Sequence, residues 1–307
     1  MRAVVCTAYG PPEVLKIREM EDPRPKKGEV CVRVFATAVT ASDSLIRSLS
    51  YPARYRLALR LMYGLRAPRV VLGMIAAGIV DSVGGDAKSF KEGDGVFGMG
   101  GFRFGTYAEK VCWPASKLAP RPANLTFAEA AALPYGGLIA SHFLRQLQVH
   151  KGQRVLIYGA SGAIGTSAVQ LAKHLGAEVT GVCSTTNLEM VRSLGATTVI
   201  DYTKQDFTRA GERYDVIFDA VGKRKSAHSL ANSAAALAPN GLRMSVDDGS
   251  PKLIASDLYT LKDLAESGDL RPVIDRCFPL EEIVEAHRYV DQGHKKGNVI
   301  VTVAPEL

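Results

Sequence analysis

The residues best placed to do chemistry lie in the run Gly159-Ala160-Ser161-Gly162-Ala163-Ile164-Gly165. A mostly apolar stretch, Val155 to Tyr158, precedes it and reads as a buried strand. Behind it Ile164, Ala168, Leu171, Ala172 and Leu175 recur at helical spacing until Gly176 stops the helix. Strand, glycine turn and helix together set bare backbone N–H groups and a positive helix end against a phosphate. The spacing Ala160-x-Gly162-x-x-Gly165 is a dinucleotide fingerprint with Ala in the first glycine slot. Gly162 lets the backbone approach a pyrophosphate, and Gly165 lets the helix pack closely on its sheet. The candidate cradle is therefore Gly159, Ala160, Ser161, Gly162, Ala163 and Ile164. The competing reading is a tight turn that needs glycine only for its geometry.

Other chemistry is less well supported. Gly159-Ala160-Ser161-Gly162-Ala163 nearly matches the G-x-S-x-G turn of serine hydrolases, and Asp219 with His287 or His294 follows in the right order. The last glycine is replaced by Ala163, and Gly165 has no purpose in that scheme. The five cysteines, Cys6, Cys31, Cys112, Cys183 and Cys277, are scattered without a C-x-x-C pair. Neither a disulfide framework nor a structural zinc site is indicated.

A chain of 307 residues suits two domains, each burying its own core. Hydrophobic residues at 47% and charged residues at 22% are ordinary for a globular protein. No apolar run is long enough to span a bilayer, and the first residues lack signal-peptide anatomy. A cytoplasmic protein with no membrane partner is expected. The net charge of +7 favours anionic partners, and a phosphate-bearing cofactor is one. Between Ser44 and Val80 no acid occurs, while Arg47, Arg54, Arg56, Arg60, Arg66 and Arg69 do. We read that stretch as a solvated face or the rim of a cleft, in preference to a nucleic-acid surface.

The elements that must position the cradle follow from periodicity. Residues 1 to about 120 read as short strands with frequent turns: Ala3–Cys6, Leu15–Ile17, Val30–Val39, Ala77–Val83, Val96–Gly98 and Gly105–Val111. Such strands suggest a partly open β-barrel, with a short helix at Arg54–Tyr63 inserted among them. Thr126 followed by Glu129 marks a capped helix, and another helix covers Leu138–Leu147. Strands at Val155–Tyr158, Glu178–Val182, Thr198–Ile200, Val216–Asp219 and Leu242–Val246 then alternate with helices, including Leu188–Leu194 and Lys225–Ala236. That alternation predicts a doubly wound parallel sheet. Leu258–Ser267 and Glu281–Tyr289 read as helices, and Arg271–Arg276 and Asn298–Val303 as strands.

Three motifs in order carry a family resemblance. They are the Gly159–Gly165 run, Ser193-Leu194-Gly195-Ala196 continuing to Asp201-Tyr202, and Asp215-Val216-Ile217-Phe218-Asp219-Ala220-Val221-Gly222. With Ala130–Pro134 and Gly293–Gly297, they resemble the medium-chain dehydrogenase/reductase superfamily, in its zinc-independent quinone oxidoreductase-like branch. The resemblance spans nearly the whole chain. It implies an α/β protein: a GroES-like, partly open β-barrel domain at 1–122, then a Rossmann NADP-binding domain with a doubly wound parallel sheet at 123–268. Residues 269–307 would return to the first domain. The cofactor would lie in the cleft between domains, its pyrophosphate at Gly162 and Ala163, with further contacts from Ala220 and Val221.

NAD-preferring sites carry an acid at the end of the second strand for the ribose 2′-hydroxyl. Here that end reads Cys183-Ser184-Thr185-Thr186-Asn187, hydroxyls and an amide that can donate to a 2′-phosphate. NADP(H) is the expected cofactor. By resemblance Ser184, Asn187 and Tyr202 fall where family members contact that phosphate, and Thr185 lies among them. Zinc-dependent relatives place a Cys ligand where this chain has Thr40, and a Gly-His-Glu triplet where it has Gly73-Met74-Ile75. No metal is expected. Without one the easier substrates are electrophilic by conjugation, quinones or α,β-unsaturated carbonyls, and the protein's task is orientation. Thr40 and Asp43 are catalytic candidates by motif position. Tyr51, Tyr63 and Tyr135 are candidates as proton donors or stacking partners. Leu138-Ile139-Ala140 replaces the Leu-Thr-Ala of many relatives, and the acid usual near Ile75 is missing. The alternatives are a 2-alkenal or enone reductase, an alcohol dehydrogenase-like enzyme, and a non-catalytic NADPH-binding sensor or structural protein. A homodimer joined through Rossmann sheet edges is expected from the resemblance.

Overall fold

The computed structural model describes residues 1–209, 211–223, 233–252 and 254–305. The chain divides into two compact units, 1–134 with 274–307, and 135–273. No helix among the described residues is long and apolar enough to cross a membrane.

The first unit opens with an antiparallel pair, β1 (Arg2–Cys6) and β2 (Leu15–Glu19). The long strand β3 (Glu29–Val39) follows, rich in β-branched residues and buried along most of its length. Two helices, α1 (Ala41–Ser48) and α2 (Ala53–Tyr63), separate it from β4 (Ile75–Val83). Strands β5 (Gly95–Met99), β6 (Lys110–Pro114) and β7 (Leu118–Pro120) complete this stretch. Helix α3 (Phe127–Ala131) starts at the expected capping box, Thr126 with Glu129, and stacks Phe127 on Phe35 of β3 at 4.7 Å. Trp113, Phe97, Tyr107, Leu72 and Ile75 fill the interior.

The second unit begins with α4 (Pro134–Gln146), four residues ahead of the expected start; Pro134 stands in the first turn, where no N–H is missed. Strands β8 (Arg154–Tyr158), β9 (Glu178–Cys183), β10 (Thr198–Asp201), β11 (Tyr214–Asp219) and β12 (Leu237–Ser245) form one sheet. Their order is β10-β9-β8-β11-β12 and every pairing is parallel. The order reverses between β8 and β11, the switch point at which open α/β sheets take their ligands. Helices α5 (Ala163–His174), α6 (Leu188–Ser193) and α7 (Ala255–Ser267) belong to this unit. Leu156, Val182, Ile200, Phe207, Tyr214 and Ile217 pack into one buried cluster on the sheet.

The remaining strands, β13 (Ile274–Pro279) and β14 (Asn298–Thr302), flank α8 (Ile283–Asp291) and belong to the first unit. They extend its sheet to the order β13-β14-β3-β4-β5-β7, with β6 also on β3.

Several elements differ from the sequence reading. Helix α1 was not anticipated; Thr40 caps it. Strand β13 lies three residues beyond the expected Arg271–Arg276, because its register is set by pairing Ile274 with Asn298 and Pro279 with Thr302. Of the expected strand Gly105–Val111, only the end enters β6. Its first half meets β1 only through an isolated bridge and otherwise rests on the loop before β4, with Tyr107 O accepting from Val4 N–H and Tyr107 N–H donating to Leu72 O. Strand β12 starts at Leu237, five residues early. Of the expected helix Lys225–Ala236, residues 225–232 lie outside the described residues; Ser233–Ala236 is a 3-10 turn.

Candidate functional site

The C-terminal ends of β8, β9 and β11 carry the expected cofactor residues. The chain leaves β8 at Gly159, whose φ of +79° lies in the left-handed region. The turn therefore uses the glycine ahead of the fingerprint, which explains why Ala160 is tolerated in the first slot. A Cβ on Gly159 would stand 2.2 Å from Val221 Cγ2, so this turn and the β11 end are in direct contact.

Gly162 and Gly165 differ in what demands them. A Cβ on Gly165 would meet Gly159 O at 2.0 Å and Ala160 Cα at 2.8 Å; this glycine is required by helix–strand packing. Gly162 is the N-cap of α5, with ordinary φ −81° and ψ 175°. A Cβ there would meet only Gly159 O, at 3.7 Å. Neither backbone conformation nor packing calls for glycine at 162. What its missing side chain leaves open is the approach to the helix end. No side chain caps α5, and the first-turn N–H groups of Ala163, Ile164 and Gly165 have no intrahelical acceptor. Uncapped donors, a positive helix end and open space fit a pyrophosphate.

The β9 end is a hydroxyl and amide shelf. Ser184 precedes a 3-10 turn, Thr185–Asn187, and Asn187 Nδ2 donates to Ser184 Oγ at 3.0 Å. Asn187 is buried, and its Oδ1 has no partner among the described residues. Thr185 Oγ1 donates to Asp201 Oδ2 at 2.5 Å. Tyr202 is half exposed, its ring 6.5 Å from that of Tyr158. The sequence reading missed Asp201. It stands on β10, in register with Cys183 of β9, so an acid does border the shelf from one strand over. Its carboxylate also accepts from Thr203 N at 3.0 Å and Thr203 Oγ1 at 2.7 Å, and Lys204 Nζ lies 3.7 Å away. The Thr185 and Thr203 hydroxyls hold its pKa below the usual carboxylate range. The signal was present in the motif ending Asp201-Tyr202, but only strand register reveals which neighbour that acid meets.

At the β11 end, Asp219 is buried and organises the loop. Its Oδ1 accepts from Val221 N at 3.0 Å and Gly222 N at 3.2 Å, and its Oδ2 from Ser245 Oγ at 2.8 Å. Ala220 N–H donates to Tyr158 O at 2.9 Å. The structure thus brings Ala220 and Val221 against the Gly159 turn.

In the first unit, Thr40 and Asp43 form the capping box of α1. Asp43 Oδ2 accepts from Thr40 N at 2.9 Å and Thr40 Oγ1 at 2.6 Å, and Asp43 N–H donates to Thr40 Oγ1 at 3.3 Å. Asp43 Oδ1 takes Gly73 N–H at 3.1 Å, tying α1 to the loop before β4. Asp43 is fully buried, and burial raises its pKa against the pull of these bonds. Tyr63 is buried with its ring edge-on to Phe104 at 5.9 Å, and Tyr51 is half-buried. Tyr135, half-buried, belongs to the other unit, at the start of α4.

The fold family's zinc is not matched by this donor set. Thr40 Oγ1 is committed to Asp43, and Met74 is a buried thioether beside Ile75. Zinc needs several nitrogen, oxygen or thiolate ligands. Among the described residues no group of three His, Cys, Asp or Glu side chains could hold a metal.

Comparisons with known proteins agree with this architecture. Residues 26–123 match the alcohol dehydrogenase GroES-like domain family, and residues 163–263 and 242–301 match zinc-binding dehydrogenase families. The 2-methylene-furan-3-one reductase of Solanum lycopersicum is 32% identical, covering 99% of this chain and 80% of its own. The quinone oxidoreductase of Pseudomonas aeruginosa is 30% identical over 98% and 99%. The solved quinone oxidoreductase of Coxiella burnetii superposes with a TM-score of 0.86 at 29% identity, covering 99% of both chains. Family matches in both halves, and relatives of this identity along nearly the whole length, establish that the chain belongs to the medium-chain dehydrogenase/reductase superfamily, with quinone oxidoreductase-like homologues.

Proposed function

We propose that the protein is a zinc-independent, NADPH-dependent oxidoreductase that reduces a quinone or an α,β-unsaturated carbonyl. The observation that carries this is the uncapped N-terminus of α5 behind Gly162, a glycine that the protein's own conformation and packing do not require. In this reading the N–H groups of Ala163 and Ile164 hold the pyrophosphate, while Gly159, Ala160 and Ser161 shape the turn. Ala220 and Val221 line its far side. Reduced nicotinamide supplies hydride when bound.

The preference for NADPH rests on the shelf at the end of β9. Ser184 and Asn187 offer a hydroxyl and an amide there, Thr185 spends its hydroxyl proton on Asp201, and Tyr202 adds an exposed phenol. Asp201 is turned into bonds with Thr185 and Thr203, and Lys204 is beside it to offset its charge. The substrate class rests on the donor set at Thr40 and Met74, which suits no Lewis-acid metal, and on the names of the relatives. One relative is called a 2-methylene-furan-3-one reductase, one an NADPH-dependent alkenal/one oxidoreductase, and one a quinone oxidoreductase. Thr40, Asp43, Tyr51, Tyr63 and Tyr135 stand in this proposal as the side chains to test for contact with substrate.

The test is NADPH oxidation measured across quinones, enones and aldehydes, with and without a chelator. Turnover with a quinone or enone, unchanged by chelation, is the expected result. Turnover only with saturated aldehydes points to alcohol dehydrogenase-like chemistry. Tight NADPH binding with no turnover on any of them favours a non-catalytic binding protein. We also propose a homodimer through β12, one of the two edge strands of the parallel sheet.

A further inference from the structure

Cys31 and Cys112 are Cα partners in the antiparallel pairing of β3 with β6. Val34 N–H donates to Glu109 O at 2.9 Å, and Ala115 N–H donates to Gly28 O at 3.1 Å. Those bonds mark 34/109 and 28/115 as hydrogen-bonded pairs. Alternation along the ladder then makes 31/112 a non-hydrogen-bonded pair, the kind whose side chains stand closest. The Cys31 thiol donates to Pro23 O at 3.8 Å. Cys31 is buried, while Cys112 is half-buried and is the sulfur an oxidant meets first. Facing Cα positions in such a pair lie within the range a disulfide spans.

We propose that Cys31 and Cys112 form a dithiol site of reversible oxidation, taking a hydroperoxide as oxidant. Cys112 Sγ attacks the O–O bond, which breaks to leave a sulfenic acid and release an alcohol. Cys31 Sγ then attacks the sulfenic sulfur; the S–S bond forms and water leaves. Both sulfurs are oxidised and the peroxide is reduced. The product staples β6 to β3, the strand that leads into the Thr40 cap. This inference is independent of the proposed reductase activity.

The experiment treats the purified full chain with an alkyl hydroperoxide, followed by non-reducing digestion and mass spectrometry. The expected result is one intramolecular cross-linked peptide pair containing Cys31 and Cys112, lighter by two hydrogen atoms, with a Tm rise that dithiothreitol reverses. Cys31→Ser and Cys112→Ser, checked for native circular dichroism, should each remove both signals. Conversion of Cys112 to sulfinic acid without cross-linking, or cross-linking only between chains through Cys277, would overturn it.

A second observation concerns α2. Leu57 and Leu61, one helical turn apart, are 67% and 69% exposed, and Met62 on the adjoining strip is 69% exposed. Tyr63, on the opposite side, is buried, and Arg56 and Arg60 there are tied to Tyr51 O and Leu65 O. The apolar strip thus points away from the unit, the reverse of an ordinary amphipathic surface helix. Leu65 is exposed as well, and so is Phe102, two residues from the Phe104 ring that packs on Tyr63. Arg54, Arg66 and Arg69 are exposed around it, in a stretch with no acid from Ser44 to Val80.

The geometry points to an anionic lipid surface as the occupant of this face. Leucines and a methionine enter the acyl boundary while arginines reach phosphate headgroups beside them. A second copy would bring these arginines against their own kind. No spanning segment is needed, so the absence of one in the sequence does not bear on this contact. Co-sedimentation of the protein with phosphatidylglycerol/phosphatidylcholine vesicles tests it. Binding is expected to be absent on phosphatidylcholine alone and to weaken about fivefold for each of Arg54→Gln and Arg66→Gln. Leu57→Ser with Leu61→Ser should abolish it at an unchanged Tm. No binding to anionic vesicles, binding that survives the serine pair, or self-association through α2 in their place would refute the lipid assignment.

Discussion

At the scale of single residues, the two fingerprint glycines are separable by experiment. Gly162→Asp places a carboxylate in open space beside the uncapped helix end, so the fold should persist while NADPH affinity falls by about 100-fold or more. Equal Tm with lost binding, read by calorimetric titration, is the expected pair of results. Gly165→Ala drives a Cβ into Gly159 O and should lower stability by about 1–3 kcal/mol before any effect on binding is considered. His287 is a residue-scale matter too. It is fully buried, its ring edge-on to Tyr107 at 5.6 Å, with neither nitrogen hydrogen-bonded among the described residues. Burial first, and the Arg47 charge second, push its pKa down to about 3. The unfolded chain therefore takes up this proton first as pH falls. The stability that neutral His287 contributes is whole above about pH 6.5 and is lost progressively toward pH 3, a span of roughly 5 kcal/mol. Asp43, whose pKa is raised by burial, works in the opposite direction and offsets part of that loss. His287→Phe should flatten the acid limb of a chemical-denaturation series between pH 6.5 and 4; an unchanged limb would assign the acid sensitivity elsewhere.

At the scale of elements, caps and strand ends govern behaviour. Thr40 starts α1 and Asp43 closes the box, so Thr40→Ala should reduce stability by about 1 kcal/mol, and Thr40→Ser should restore it. A kcat loss beyond tenfold in a Thr40→Ala protein of near-native Tm would mark the hydroxyl as catalytic. In the proposed assignment the end of β9 sets the coenzyme preference. Ser184→Asp supplies the carboxylate that NAD-preferring sites place there, and should move the preference from NADPH toward NADH by at least about tenfold, measured as the ratio of kcat/KM values. The same strand ends show where sequence reading stops. Asp201 was visible as a residue but not as a neighbour of Thr185, because parallel register is a non-local property. Helix α1 is hard to read from sequence because Thr40 and Asp43 also fall at a metal-ligand spacing. Thr-x-x-Asp is also a helix-start spacing. Strand β13 was displaced because its partner, not its own composition, sets its limits.

At the scale of the whole molecule, the parallel sheet has β12 on one edge, and an edge strand offers unpaired backbone groups to a second copy. Light scattering should give twice the monomer mass. A Pro substitution at Arg243, within β12, should return the protein to monomers if the edge is the contact. The local pattern of the chain determined much of this protein: the alternation that makes a parallel sheet, the glycine turn after Val155–Tyr158, the capped start at Thr126, and the family that these motifs identify. Those features are legible because they arise from residues close in sequence, through periodicity, φ preference and capping. Tertiary structure alone decided which glycine is strained, which is packed and which stands before open space. It alone placed Asp201 beside Thr185, Val221 against Gly159, and Cys31 opposite Cys112. Each of these joins strands that meet only when the sheets assemble, and no local propensity encodes that register.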